Sequence, residues 1–316
     1  MKLLPIFLVV SLISVALTYA LTGAGLWLLL APFLGMLLAV GLLSWHMNFI
    51  YLLRSKPGKA KRSLAHLRLW RPILDQDSYQ TMLAGGLVSA GRFAELETLR
   101  GEARLGSGAA ANLEYICHGV RKDWEKAAEA LQQGVQQSEG VWGTNLRLEL
   151  VGLLARRFPE RLEEAVALYD QALQGALTVG VLAYSLALES DLWIAAGQGG
   201  PALTLLQPSI EKLETYSKKE ALLLGPLAKL YQHKGVALAL LGDKEAAEQS
   251  FTLAKSTYGT EIFLAEVDED LENMKAGRPL RGEPTAAAEV MMSHRSVTVR
   301  QEWPGGYGEM QSSGES

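Results

Sequence analysis

The sequence predicts an all-α protein: two transmembrane helices, then an α-solenoid of paired helices, then a disordered C-terminal tail. Three observations carry that prediction. Two long uncharged apolar stretches occupy the first 53 residues. From residue 78 onward apolar side chains recur at three- and four-residue spacing, with no strand-like alternation. Along the same region a small-residue turn followed by a fixed pattern of small and large side chains repeats. The resulting division is a hairpin over 1–53, a basic juxtamembrane linker over 54–77, helical repeats over 78–275 and the tail over 276–316.

The hairpin follows from length. Leu3 to Leu21 and Ala24 to Leu53 carry no charge, and a bilayer core takes about 20 apolar helical residues. The spans are placed at about 3–21 and 26–46, joined at Thr22-Gly23-Ala24-Gly25, a turn composition. Trp27 and Trp45 lie about 27 Å apart along a helix, near the hydrocarbon thickness, and Trp and Tyr favour the two interfaces. With Tyr19, Trp27 marks one face and Trp45 the other. Lys2, the apolar run and Thr18-Tyr19-Ala20 also fit a secretory signal peptide; cleavage after Ala20 would leave the later region on the same side. The uncleaved hairpin is adopted because the second span follows so closely.

Charge sets the orientation. Residues 1–74 contain eight basic side chains and no acid, whereas the remainder holds 22 basic and 34 acidic residues. Arg54, Lys56, Lys59, Lys61, Arg62, Arg68 and Arg71 follow the second span, so the positive-inside rule puts both termini and the repeats in the cytoplasm. The run Arg54 to Arg62 is read as a topogenic, anionic-lipid-attracting segment rather than a nucleic-acid patch. Leu64, Leu67 and Trp70 share a helical face that would lie on the membrane surface. Ala31, Gly35 and Ala39 form a small-residue stripe suited to packing against the first span, or to homo-oligomerisation. Neither span carries a charged group that would line a transport pathway.

The repeats are clearest over 228–260, which reads Tyr231-xxx-Gly235, Leu238, Leu241-Gly242-Asp243, Ala247, Phe251, Ala254. This segment resembles the tetratricopeptide repeat, a pair of antiparallel helices. In that family the small residues bring the two helices together, and the aromatics fill the gaps between pairs. It departs from the family at Lys234 and Gly259. Ala165, Tyr169 and Ala172 repeat the pattern. Ala127, Leu131 and Gly134 do so again, as do Ala202 and Leu206 after Ala196-Gly197, and Leu96 and Leu99 after Ala90-Gly91. The register positions Leu96, Ala127, Ala165, Ala202 and Ala247 are 31, 38, 37 and 45 residues apart. Glu261 to Lys275 reads as a capping helix, with Phe263, Val267, Leu271 and Met274 on one face and Glu266, Asp268, Glu269, Asp270 and Glu272 opposite in solvent. The tail, rich in Gly, Ser and Pro, includes Ser296-Val297-Thr298-Val299, which fits strand pairing with a partner only as a minor alternative.

No catalytic or metal constellation is present in sequence. Cys117 lies on the apolar side of a helix and reads as a small hydrophobe. The five histidines show no ligand spacing. Gly197-Gln198-Gly199-Gly200 sits between helices rather than after a strand, so it reads as a turn. The acidic run lacks the pattern of a calcium loop. No enzyme activity, cofactor, metal or nucleic-acid partner is expected. The resemblance implies a concave groove lined by the first helix of each pair, with candidates Tyr184, Ala187, Asp191, Lys229, Gln232, His233 and Val236. Gln232 and Val236 stand where chaperone-binding relatives have a carboxylate clamp, so that specificity is not carried over. The expected function is a membrane-anchored scaffold for protein partners on the cytoplasmic side, in contact with lipid. The alternative is an accessory subunit docked into a membrane enzyme or transport complex through the hairpin.

Overall fold

The computed structural model describes residues 25–56, 58–174 and 179–280, with side chains outside 25–34 and 179–182. The expected first span over 3–21 and the tail from 281 lie outside the described residues. Within them the chain is helical with no strand. The helices are α1 (Gly25–Ser55), α2 (Ala60–Arg68), α3 (Gln76–Ser89), α4 (Phe93–Glu102), α5 (Ser107–Val120), α6 (Trp124–Gln137) and α7 (Gly140–Arg157). They continue with α8 (Leu162–Leu173), α9 (Val179–Ala195), α10 (Gly199–Ser217), α11 (Leu224–Leu240), α12 (Lys244–Thr257) and α13 (Glu261–Lys275). Short 3₁₀ turns, Pro159–Arg161 and Ala221–Leu223, precede α8 and α11.

Local chemistry starts and stops these elements. The Asp75 carboxylate accepts from the Ser78 N–H at 2.9 Å, and the Asp243 carboxylate from the Ala246 N–H at 3.1 Å. Each satisfies a donor that a helix start leaves open. The four turns that join α3 to α4, α5 to α6, α9 to α10 and α11 to α12 share one closing bond, in which the N–H of Arg92, Asp123, Gln198 and Asp243 donates to the carbonyl of Leu87, His118, Trp193 and Leu238. The residue before each donor has positive φ: Gly91, Lys122, Gly197 and Gly242. That backbone favours glycine.

Sequence neighbours pack as pairs, α3 with α4, α5 with α6, α7 with α8, α9 with α10 and α11 with α12. The first helices of successive pairs also touch in the order α3, α5, α7, α9, α11, α13, and α13 contacts α3 again. The inner helices therefore form a closed circuit with the second helices outside it. The architecture is helical-repeat-like, and α13 completes the circuit as well as covering the end of the last pair. The register positions are fully inside: Leu96 is 1% exposed and Ala127, Ala165, Ala202 and Ala247 are 0%. Tyr169, Ala172, Tyr231, Gly235, Phe251 and Ala254 are likewise buried. Gly235 shows why a small residue is needed, since a Cβ there would stand 2.7 Å from the Phe251 ring. Gly134 has the same role, with the Ala111 Cβ only 2.4 Å from where its own would be.

By length and composition one helix among the described residues can cross a membrane, the part of α1 from Gly35 to Ser55. Its two ends differ. Met36, Leu37, Leu38, Val40, Leu42 and Trp45 are exposed, whereas Ile50, Leu53 and Ser55 are buried in the helical body. The exposed apolar stretch thus ends near Trp45. Of the small-residue stripe, Gly35 and Ala39 are buried, and the side chain of Ala31 lies outside the described residues.

Residues 54–77 hold more than a linker. After a turn at Gly58, α2 folds back antiparallel along α1: the Ser63 hydroxyl donates to the Ile50 carbonyl, and the Trp70 indole N–H donates to His46 Nδ1 at 3.0 Å. Leu64, Leu67 and Trp70, expected on a membrane surface, are 1%, 3% and 5% exposed. Protein covers that face because α1 and α3 pack against it, with Leu64 and Leu67 reaching Gly86 of α3.

Candidate functional site

The inner helices project polar side chains toward one another in the centre of the circuit. Spacing of three, four or seven residues puts them on one helical face: Glu149 and Arg156 on α7, Tyr184 and Asp191 on α9, Lys229, Gln232 and His233 on α11, Glu266, Asp270 and Asn273 on α13. Tyr115 of α5 joins them.

These groups are paired across helices. The Tyr184 hydroxyl donates to Glu149 at 3.2 Å, and Gln232 Nε2 donates to Asp270 at 2.7 Å. The Lys229 ammonium donates to Glu266 and, at 3.3 Å, to the Gln232 side-chain oxygen. His233 Nε2 stands 3.0 Å from Asp191, and its Nδ1 stands 2.8 Å from the Ser190 hydroxyl. That hydroxyl donates to the Ala187 carbonyl, and Ser190, Asp191 and His233 are at most 2% exposed. The set has the residue types of a nucleophilic triad, but its hydroxyl proton is engaged and no solvent reaches it. A network of this kind ties α7, α9, α11 and α13 together, and Tyr115 adds α5 through Glu149.

Electrostatics reflects the burial. Removal from water raises the Glu149 carboxyl, partly opposed by Arg156. Burial lowers the Lys229 ammonium against the pull of Glu266. At Arg156 burial acts downward too, yet Asp191 and Glu266 outweigh it and the shift is upward. Burial raises the Tyr115 and Tyr184 hydroxyls. Charge is thus held here only because each group faces an opposite or hydrogen-bonding neighbour.

A cavity of about 130 Å³ opens beside this network, lined among others by Trp124, Arg156, Arg157, Glu269, Asn273 and Leu280. At its mouth the Arg157 guanidinium stacks over Trp124, 4.5 Å from the ring centre.

Placement of the expected groove is therefore mixed. Tyr184, Asp191, Lys229, Gln232 and His233 do converge on the inner face. Ala187, Asp191, Gln232, His233 and Val236 are at most 2% exposed, however, and present no surface to a macromolecule. The open-groove expectation is corrected at those five positions, because the circuit of inner helices closes where an open solenoid would leave a concave side. Glu266 and Asp270 also depart from the expected solvated face. They turn inward to Lys229 and Gln232, and Asp270 shares the stripe of Phe263, Val267 and Met274. That stripe was present in the spacing, and only the charge argued against it.

Elsewhere the structure joins what sequence kept apart. His46 and His66 meet at 3.1 Å between α1 and α2. Among the described residues no group of three His, Cys, Asp or Glu could hold a metal ion. Cys117 is 0% exposed, and burial pushes its thiol up to about 11, so it packs as an apolar side chain. No protein family, curated protein or solved structure matches this chain.

Proposed function

We propose that this chain is a membrane-anchored scaffold whose tetratricopeptide-like helix pairs recruit a protein partner on the cytoplasmic side. The observation that carries the reading is the two-part character of α1. Its outer part is a sleeve of exposed apolar side chains ending at Trp45, and its inner part is bonded into the helical body. A helix so divided holds the body at a bilayer and concentrates whatever the body binds. The basic excess after α1 supports a cytoplasmic body. The recurring turns and buried register positions support the tetratricopeptide resemblance. With the inner face closed, the partner surface is assigned to the cavity mouth, where Arg157, Glu269 and Asn273 stand beside Trp124 and can receive a polar peptide segment.

Affinity capture of the full chain from crosslinked membranes tests this. A partner should be held by the wild type and by Gly35→Leu, and lost in an Arg157→Glu, Glu269→Lys double variant. Loss in Gly35→Leu with retention in the double variant would instead favour docking through the hairpin as an accessory subunit.

A further inference from the structure

Two loops about 150 residues apart in sequence are each anchored to the base of the exposed part of α1. On one side the end of α2 is fixed by the Trp70 bond to His46. On the other, the loop after α10 is fixed by Asn48, whose side chain donates to the Lys219 carbonyl at 3.2 Å and accepts from the Ala221 N–H at 2.6 Å. His46 and Asn48 are two residues apart, which is about 200° around a helix, so the loops flank α1 on opposite sides. Both anchors, His46 and Asn48, lie within about 4.5 Å, along the helix, of Trp45.

Each loop presents the same composition outward. The first exposes Arg68, Arg71 and, 63% exposed, Leu69; the second exposes Lys218, Lys219 and, 45% exposed, Leu222. Arg68 also pairs with Glu95 at 3.4 Å, both in solvent. A leucine flanked by cations at the depth of an interfacial tryptophan suits a headgroup region, where the apolar tip enters the acyl boundary and the cations meet lipid phosphates.

We propose that Arg68, Leu69, Arg71, Lys218, Lys219 and Leu222 form a collar that docks the helical body flush against anionic lipid. This rests on the membrane reading of α1 and adds the lipid class and the orientation of the body. A nucleic acid is the lesser reading, because the two leucines beside a lipid-length apolar sleeve fit acyl chains and not a phosphate backbone.

The test is amide hydrogen exchange of the full chain in nanodiscs of phosphatidylcholine alone and with one-third phosphatidylglycerol. Residues 66–71 and 217–222 should both exchange at least threefold more slowly in the anionic discs, and 0.5 M salt should reduce that difference by screening. An R68Q, R71Q, K218Q, K219Q variant should lose the lipid dependence while remaining in the discs. Equal exchange of the wild type in both lipids would overturn the collar, as would protection of only one loop, or protection by an oligonucleotide in neutral discs. Failure of the wild type to enter discs at all would instead sink the membrane reading beneath it.

Discussion

Lys122 holds φ at 60° in the turn between α5 and α6, where the three equivalent turns place Gly91, Gly197 and Gly242. A Cβ in this left-handed region costs about 1–2 kcal/mol, while glycine loses some 0.5–1 kcal/mol through unfolded-state freedom. Lys122→Gly should therefore stabilise the chain by about 0.5–1 kcal/mol, a Tm rise of about 1–2 °C for a protein of this size. Thermal unfolding of the full chain in detergent measures it, and a lowered Tm would show the lysine to be held by something other than the turn. Turn glycines were the most legible part of the sequence, because a left-handed position selects its residue type. Lys122 escaped that signal since lysine carries no such preference, and only the backbone reveals its turn as a fourth copy.

At the scale of elements, the base of α1 was the least legible feature. Asn48 bonds to Lys219 and Ala221, and His46 to Trp70, with partners set by tertiary packing rather than local spacing. The amphipathic face of α2 was read correctly as a face, yet its partner was assigned to lipid because sequence cannot show that α1 and α3 lie nearer. Asn48 is half-buried and leaves the Ala221 N–H without a partner when shortened. Asn48→Ala should cost about 0.5–1.5 kcal/mol locally and loosen the base of α1. Trypsin should then cut at Lys218 or Lys219 several-fold faster than in the wild type. Unchanged cutting would mean that the apolar contacts of Ile50 and Leu53 hold the base alone.

Across the whole molecule, the paired-helix periodicity was visible because each buried register position, from Leu96 to Ala247, has to be small or apolar. Closure of the inner helices was not. It depends on α13 reaching α3, a contact between the two ends of the repeat region, and it converts an expected groove into a largely buried polar network with one cavity beside it. Glu266, Asp270, Asp191 and His233 are the residues whose roles change as a result, from solvent-facing or partner-facing groups to ties between helices. What function remains open to the body is then displaced to its rims: the cavity mouth at Arg157 and Glu269, and the base of α1.

Both rims act as described only if the exposed sleeve from Met36 to Trp45 lies in lipid. Washing membranes that carry the full chain with alkaline sodium carbonate examines this directly. The chain should remain with the lipid pellet, and its recovery in the supernatant would contradict the account.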